Sequence, residues 1–242
     1  MVYGIIMAGG KGLRMNSNIP KQYMILDDKP ILIHTVEVFL CSNLFDIVYI
    51  VIGDVWKEYT NELLLKYFSK PQLDKIKLYP CEPLSRTYSL FQAINYIVNK
   101  VETSNEDIAV VHDADRPFVT NEVLIDCIDK AKRNKVALAV TPFEETMYII
   151  DNKGFLAESI GKDIIRTGQS PFGSKLNIMH CILNSFSKEE LIKPMTISQL
   201  YIKRKIPISF SNGSKKNFKI TTKDDLLYAE YIKKSSGLGG KI

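Results

Sequence analysis

Five basic residues, Arg14, Lys21, Arg86, Arg116 and Lys219, each stand at or just beyond the end of a predicted strand, where fixed positive charge can meet a bound anion. Arg14 belongs to a glycine-rich turn, Ala8-Gly9-Gly10-Lys11-Gly12-Leu13-Arg14-Met15, and Lys21 follows in Pro20-Lys21-Gln22. Glycines let the backbone lie close against a ligand, and successive N–H groups in such a turn point at oxyanions. The stretch lacks both the Gly-Lys-Ser/Thr of a P-loop and the Gly-x-Gly-x-x-Gly of a dinucleotide turn. On the glycines alone a purely structural turn remains an open reading; the closely spaced cations favour a nucleoside triphosphate. Such a set suits attack by a phosphate monoester on the α-phosphate of that nucleotide. This reaction asks the protein for no acid and no covalent nucleophile. It asks that two anions be gathered and aligned, and that charge growing on the α-phosphate and departing pyrophosphate be neutralised. Fixed cations and a magnesium ion, Mg2+, meet that demand.

The elements that must hold these residues follow from the hydrophobic spacing. Tyr3 to Met7 reads as a buried first strand ending in the glycine turn. Asp46–Gly53 and Ile108–Val111 are near-continuous apolar runs, as expected of parallel strands covered on both faces. Lys77–Tyr79, Val136–Val140 and Ile206–Phe210 complete the predicted strands. Helical spacing covers Ile31–Leu40, Val55–Phe68, Ser85–Val98, Asn121–Asn134, Lys175–Phe186 and Lys223–Lys234, the last with Thr222 and Asp225 placed as a capping box. The alternation predicts an α/β fold with a doubly wound, mostly parallel sheet. Ligands of such sheets bind beyond the carboxyl ends of the strands, where both the glycine turn and His112-Asp113-Ala114-Asp115-Arg116-Pro117 fall. Thr146–Ile150, the polar turn Asp151-Asn152-Lys153-Gly154 and Phe155-Leu156 break the alternation and predict a projecting hairpin.

Composition narrows the function classes. The 242 residues fit one nucleotidyltransferase domain over 1–234, with a β-arm at about 143–167 and a flexible tail over 235–242. A net charge of +5 from scattered lysines suits a small anionic substrate and argues against nucleic acid. No apolar run approaches the length of a membrane span. Cys41, Cys81, Cys127 and Cys181 are widely spaced without a Cys-x-x-Cys pair, which fits reduced thiols in a cytoplasmic protein. His34 reads as an ordinary packed or surface histidine.

Ala8-Gly9-Gly10-x-Gly12-x-Arg14-Met15 followed by Pro20-Lys21-Gln22 resembles the opening signature of the cytidylyltransferases, the family acting on 2-C-methyl-D-erythritol 4-phosphate and on ribitol-5-phosphate. Arg86-x-x-Ser89, His112-Asp113-x-x-Arg116-Pro117 and Lys219-Ile220-Thr221 match further family elements in the same order. The resemblance implies a Rossmann-like nucleotidyltransferase and assigns roles. Arg14, Lys21 and Lys219 would be catalytic, stabilising the pentacoordinate α-phosphate. Ala8, Gly9, Gly10, Gly12, Arg86, Ser89 and Asp113 would bind the nucleotide, with Asp113 beside its metal. Arg116 would lie near the acceptor phosphate, and Thr146 and Lys162 would serve the acceptor site of a neighbouring subunit in a homodimer with exchanged β-arms.

Three positions depart from the family pattern. A Gly-Gly turn that reads cytosine is replaced by Cys81-Glu82-Pro83-Leu84-Ser85, and proline offers no N–H. Ser170-Pro171-Phe172 replaces Thr-Pro-Gln, with Gly168-Gln169 before it as in the ribitol-phosphate branch. Met195-Thr196-Ile197 lacks the acid of a Thr-Asp pair. The implied reaction is transfer of CMP from CTP to ribitol-5-phosphate or a related polyol phosphate, giving a CDP-polyol and pyrophosphate for cell-surface polysaccharide synthesis. The alternatives are the methylerythritol-phosphate enzyme of isoprenoid synthesis and a catalytically silent nucleotide-binding protein.

Overall fold

The computed structural model describes residues 1–10 and 19–238. Its first half runs β1 (Val2–Met7), β2 (Ile25–Leu26), β3 (Lys29–Pro30), α1 (Ile31–Cys41), β4 (Ile47–Gly53), α2 (Lys57–Tyr67), α3 (Lys70–Asp74), β5 (Ile76–Cys81), α4 (Arg86–Lys100), β6 (Ile108–Asp113) and α5 (Asn121–Asn134). The second half runs β7 (Val136–Pro142), β8 (Met147–Ile150), β9 (Leu156–Ile160), β10 (Arg166–Lys175), α6 (Leu176–Asn184), α7 (Lys188–Ile192), α8 (Ile197–Lys203), β11 (Ser209–Asn212) and α9 (Lys223–Leu238).

Seven strands form one sheet in the order β11-β7-β10-β6-β1-β4-β5. All neighbours pair in parallel except β10, which runs antiparallel to both β6 and β7. Alternation along the strands sends side chains into two layers. Ile6, Ile50, Ile52 and Val110 pack with Val36, Phe39, Leu64 and Leu124 of the helices on one face. Tyr3, Ile5, Val51 and Val111 pack with Leu90, Ile94, Leu176 and Tyr201 on the other. Full burial of each such aliphatic side chain contributes about 1.5–3 kcal/mol relative to exposure. Gly4 permits the close approach of α1, because a Cβ there would sit 2.8 Å from Phe39 Cδ1.

β1 is followed in one direction by β4 and β5, and in the other by β6. The sheet therefore reverses its winding between β1 and β6, and a crevice opens beyond their carboxyl ends. Met7 at the end of β1 pairs with Asp113 at the end of β6, so the glycine turn and the His-Asp segment leave the sheet side by side.

Several elements differ from expectation. β10 occupies the middle of the sheet, although Gly168-Gln169-Ser170-Pro171 has the composition of a turn. A register break between Gly168 and Phe172 accommodates the proline where it would otherwise remove a ladder hydrogen bond. The last strand starts at Ser209, three residues later than predicted. The final helix continues to Leu238, through the first part of the predicted flexible tail, and Asp225 and Thr222 exchange the capping-box hydrogen bonds. Where a β-arm is predicted, β8 and β9 pair only with each other, and every β8 side chain is exposed.

Candidate active site

A cleft of about 540 Å3 lies over the β1–β6 switch point, within the range of small-ligand sites. Its lining includes Gly9, Gly10, Lys21, Arg86, Ser89, Asp113, Asp115 and Lys219, which come from five separate stretches of chain. Local structure explains how each arrives. Gln22 anchors the glycine turn: its Nε2 donates to the carbonyls of Ala8 (2.5 Å) and Gly10 (3.0 Å). Ala8 itself is buried, with its N–H donating to Val51 O of β4. Lys21 opens a short 3-10 turn over Lys21–Tyr23, fixed by the stacking of Tyr23 on Trp56. Arg86 is the first residue of α4, whose N-cap Ser85 accepts the Tyr88 N–H. Lys219 is positioned through its neighbour Ile220, whose N–H donates to the Asp115 carbonyl (2.9 Å).

The charges form two linked groups. Asp113 Oδ1 accepts from Arg86 (2.8 Å from NH2), while Oδ2 lies 3.1 Å from Lys219 Nζ and 3.5 Å from Arg116 Nε. Burial by itself would raise the Asp113 carboxyl, but Arg86, Lys219 and Arg116 outweigh it and hold the group well below the usual carboxylate range. Lys21 pairs with Asp115 and donates to the Ile220 carbonyl (3.0 Å). Lys219 links the groups, lying 3.6 Å from Asp115 Oδ1.

Behind Asp113 lies a buried hydrogen-bond chain. The Asp113 N–H donates to Ser170 Oγ (3.1 Å), and the Ser170 hydroxyl donates to His112 Nδ1 (3.0 Å), because the Arg116 carbonyl at the other ring nitrogen can only accept. That network assigns the proton of His112 to Nε2, which lies 3.1 Å from the Arg116 carbonyl. Burial pushes the imidazole down to about 4, so it is neutral at pH 7. Asn217 ties the chain to the Lys219 segment: its Nδ2 donates to the Ser170 carbonyl (2.7 Å), and its own carbonyl accepts from Arg116 (2.7 Å).

Among the predicted site residues, the cleft gathers Gly9, Gly10, Lys21, Arg86, Ser89, Asp113 and Lys219. Gly12 and Arg14 lie outside the described residues. Arg116, expected at the acceptor phosphate, does not line the cleft; it is half-buried beside Asp113 and held by the Asn217 carbonyl. Thr146 and Lys162 are exposed and line no part of this cleft, and Lys162 Nζ donates to the Glu144 carbonyl beside the hairpin. Sequence reasoning gave no role to Asp115, Gln22, Ser170 or Asn217. The first two adjoin assigned residues within quoted motifs, and that adjacency was the available signal.

The replacement loop before Arg86 contributes Pro83 to the cleft, where it lies 3.8 Å from the position a Cβ on Gly9 would take. The Ser85 hydroxyl is committed to the Leu191 carbonyl (2.6 Å) and to the helix cap. Asp113 fits a magnesium ion in its donor chemistry, being an ionised hard-oxygen ligand in the cleft wall. Among the described residues no group of three or more His, Cys, Asp or Glu side chains could hold a metal, so substrate phosphates would have to complete its shell. All four cysteines are free, Cys81 and Cys127 being buried, and burial pushes the Cys127 thiol up to about 12. His34 is packed against the Leu26 carbonyl (2.7 Å). Among the described residues no helix is long and apolar enough to cross a membrane.

Sheet and cleft define the class: a doubly wound α/β protein whose switch point holds a site for a polyanion. The family model described as IspD, 2-C-methyl-D-erythritol 4-phosphate cytidylyltransferase, matches residues 2–235. The chain belongs to this family and is a CTP-dependent cytidylyltransferase. It is 32% identical over 233 residues to the ribitol-5-phosphate cytidylyltransferase of Lactiplantibacillus plantarum, covering 96% of this chain and 98% of that protein. It is equally 32% identical, over 229 residues, to the 2-C-methyl-D-erythritol 4-phosphate cytidylyltransferase of Thermosipho africanus, covering 93% of this chain and 95% of that one. The crystal structure of the Francisella tularensis 2-C-methyl-D-erythritol 4-phosphate cytidylyltransferase superposes with a TM-score of 0.75 at 29% identity, covering 95% of this chain and 98% of that one. A structure titled 4-diphosphocytidyl-2C-methyl-D-erythritol synthase, from Anaerococcus prevotii, shares the fold with a TM-score of 0.78 at 20% identity over 97% of this chain and 98% of that one.

Proposed function

We propose that the protein transfers CMP from CTP to ribitol-5-phosphate, or to a closely related polyol phosphate. The observation that carries this reading is the convergence of Lys21, Arg86 and Lys219 on one cleft beside Gly9 and Gly10. In this reading the triphosphate lies along the glycine turn, and Arg86 and Lys219 exchange part of their pairing with Asp113 for phosphate oxygens. An oxygen of the acceptor phosphate bonds to the α-phosphorus as the bond to the β-phosphate oxygen breaks, and pyrophosphate leaves with the electron pair. Lys21 and Lys219 neutralise the charge that grows on the α-phosphate. A bound divalent ion would supply further charge neutralisation on the phosphates, held from the protein side by Asp113. His112, Ser170 and Asn217 keep the Asp113 carboxylate in place.

Two particulars favour ribitol phosphate over methylerythritol phosphate: Gly168-Gln169, shared with the ribitol-phosphate branch, and the missing acid at Met195-Thr196-Ile197. Gln169 braces the approach to Lys219, since its Nε2 donates to the Ser214 carbonyl (3.0 Å). The acceptor site of this reading is completed by Thr146 and Lys162 from the exchanged hairpin of a second copy, in the reducing environment of the cytoplasm.

Pyrophosphate release with CTP and a panel of polyol phosphates tests the reading. Ribitol-5-phosphate should give the highest kcat/KM, with CTP preferred over UTP. A higher value for methylerythritol phosphate would reassign the acceptor. Equal values for CTP and UTP would mean that the Cys81–Ser85 loop does not read the base.

A further inference from the structure

Asp115 is the one carboxylate of the cleft for which the reaction itself has no obvious use. It is buried, it lines the cleft, and it stands where an incoming triphosphate meets its cations. A negative charge there opposes the nucleotide unless it does something else. Its contacts indicate what that is. Lys21 Nζ is held from two sides, by the Asp115 carboxylate and by the Ile220 carbonyl (3.0 Å). An ammonium has three N–H donors, so these two partners leave one for a ligand. The Ile220 N–H donates in turn to the Asp115 carbonyl (2.9 Å), so one residue fixes both partners of Lys21.

Lys219 is treated differently. It is 31% exposed by its side chain, against 10% for Lys21, and is shared between Asp113 (3.1 Å) and Asp115 (3.6 Å). The cleft thus pairs one fixed cation with one adjustable cation. Lysine is a flexible four-carbon stem, and aiming it without help costs side-chain entropy.

The geometry points to Asp115 as the positioning residue for Lys21: it holds the ammonium in the direction needed when charge develops on the α-phosphate, at the expense of ground-state nucleotide affinity. This rests on the reading of the cleft as the triphosphate site. It belongs to the general pattern in which an interaction realised in the transition state is favoured over tight substrate binding.

Asp115→Asn removes the charge and keeps the shape. In wild-type protein and variant, CTP binding would be measured by calorimetry with the metal chelated, and turnover would be measured at saturating magnesium and acceptor. The variant should bind CTP about tenfold more tightly, as one repulsive charge is lost. Its kcat should fall about tenfold or more as Lys21 loses its aim. Its half-saturating magnesium concentration should stay at the wild-type value. A folding defect would lower kcat without tightening CTP, and a lowered melting temperature would identify it; Asp115→Ala, at a melting temperature matched to wild type, then serves as the second variant, with the same split expected. Unchanged turnover, or lower turnover with unchanged or weaker CTP binding, would overturn the assignment. So would an increased magnesium requirement, which would make Asp115 a metal ligand. Failure of the wild-type protein to bind CTP would count instead against the nucleotide reading of the cleft.

Discussion

The cleft and the β8–β9 hairpin are built on opposite terms. Among the described residues every charge in the cleft has an opposite charge or a carbonyl from the same chain, and Lys21, Asp113 and Asp115 are all less than a tenth exposed. The hairpin turns Tyr148, Ile150, Phe155 and Leu156 outwards, the last three about two-thirds exposed. A lone two-stranded ribbon is marginally stable in water, and an apolar display of this size is what the proposed exchange of hairpins between two copies would cover. Among the described residues the first region is paired within its own chain; the second is the one that the proposed dimer would cover. Binding of CTP should depend on the first alone, and use of the acceptor on both.

The largest effects should come from the cleft. Lys21→Ala or Lys219→Ala should lower kcat by at least ~100-fold, the scale of losing one preorganised electrostatic group. CTP affinity should fall less, since Arg86 and the glycine turn remain. Single-turnover kinetics with direct binding would separate the two, and near-normal turnover in either variant would remove that lysine from the mechanism.

Intermediate effects belong to the hairpin. Tyr148→Glu with Ile150→Glu should convert the proposed dimer to a monomer in sedimentation and cost about tenfold or more in turnover through the misplaced acceptor. CTP affinity should be unchanged. Sharing of the site is tested more directly by mixing Lys21→Ala with Thr146→Ala after reversible dissociation. In the mixed dimer one site keeps both residues, so random pairing restores about a quarter of wild-type sites. A fully active monomer would break the comparison altogether.

The smallest effect near neutral pH is on stability. Burial depresses His112 from 6.5 to about 4. The unfolded chain therefore takes up the proton first as the pH falls, and the contribution present above 6.5 is lost progressively down to about 4. Between pH 7.5 and 6 this costs on the order of 1 kcal/mol from His112 alone. Urea unfolding across that range should show the slope, and His112→Gln should flatten it. His34, also depressed chiefly by burial, would leave a residual slope of the same sign.

Much of the sheet was legible because β1, β4 and β6 are covered on both faces and read as unbroken apolar runs. β10 was not legible, because its central residues are ones that turns prefer and only its neighbours make it a strand. The short helices α7 and α8 also escaped, although Ser187 with Glu190 and Thr196 with Gln199 form capping boxes that announce them. In the site, the identity of the cations was legible and their pairing was not. That Lys21 meets Asp115, while Arg116 turns inward to Asn217, depends on segments far apart in sequence being brought together by the sheet. The mismatch at Cys81–Ser85 was visible as a missing N–H, and the structure adds that Pro83 faces the cleft.

The central antiparallel strand has a mechanical consequence. β10 begins six residues after the hairpin strand β9 ends and runs ten residues, about 33 Å of extended chain, between β7 and β6. Midway along it, Ser170 grips the backbone of Asp113 and the ring of His112. An extended strand cannot stretch; its ladder to β7 holds it from Arg166 to Gly168, and ladders to both neighbours hold it from Phe172 onwards. Force applied to the hairpin therefore passes through the short turn Lys162–Ile164 and along β10 to the seat of Asp113, with that turn and the register break between Gly168 and Phe172 left to absorb it.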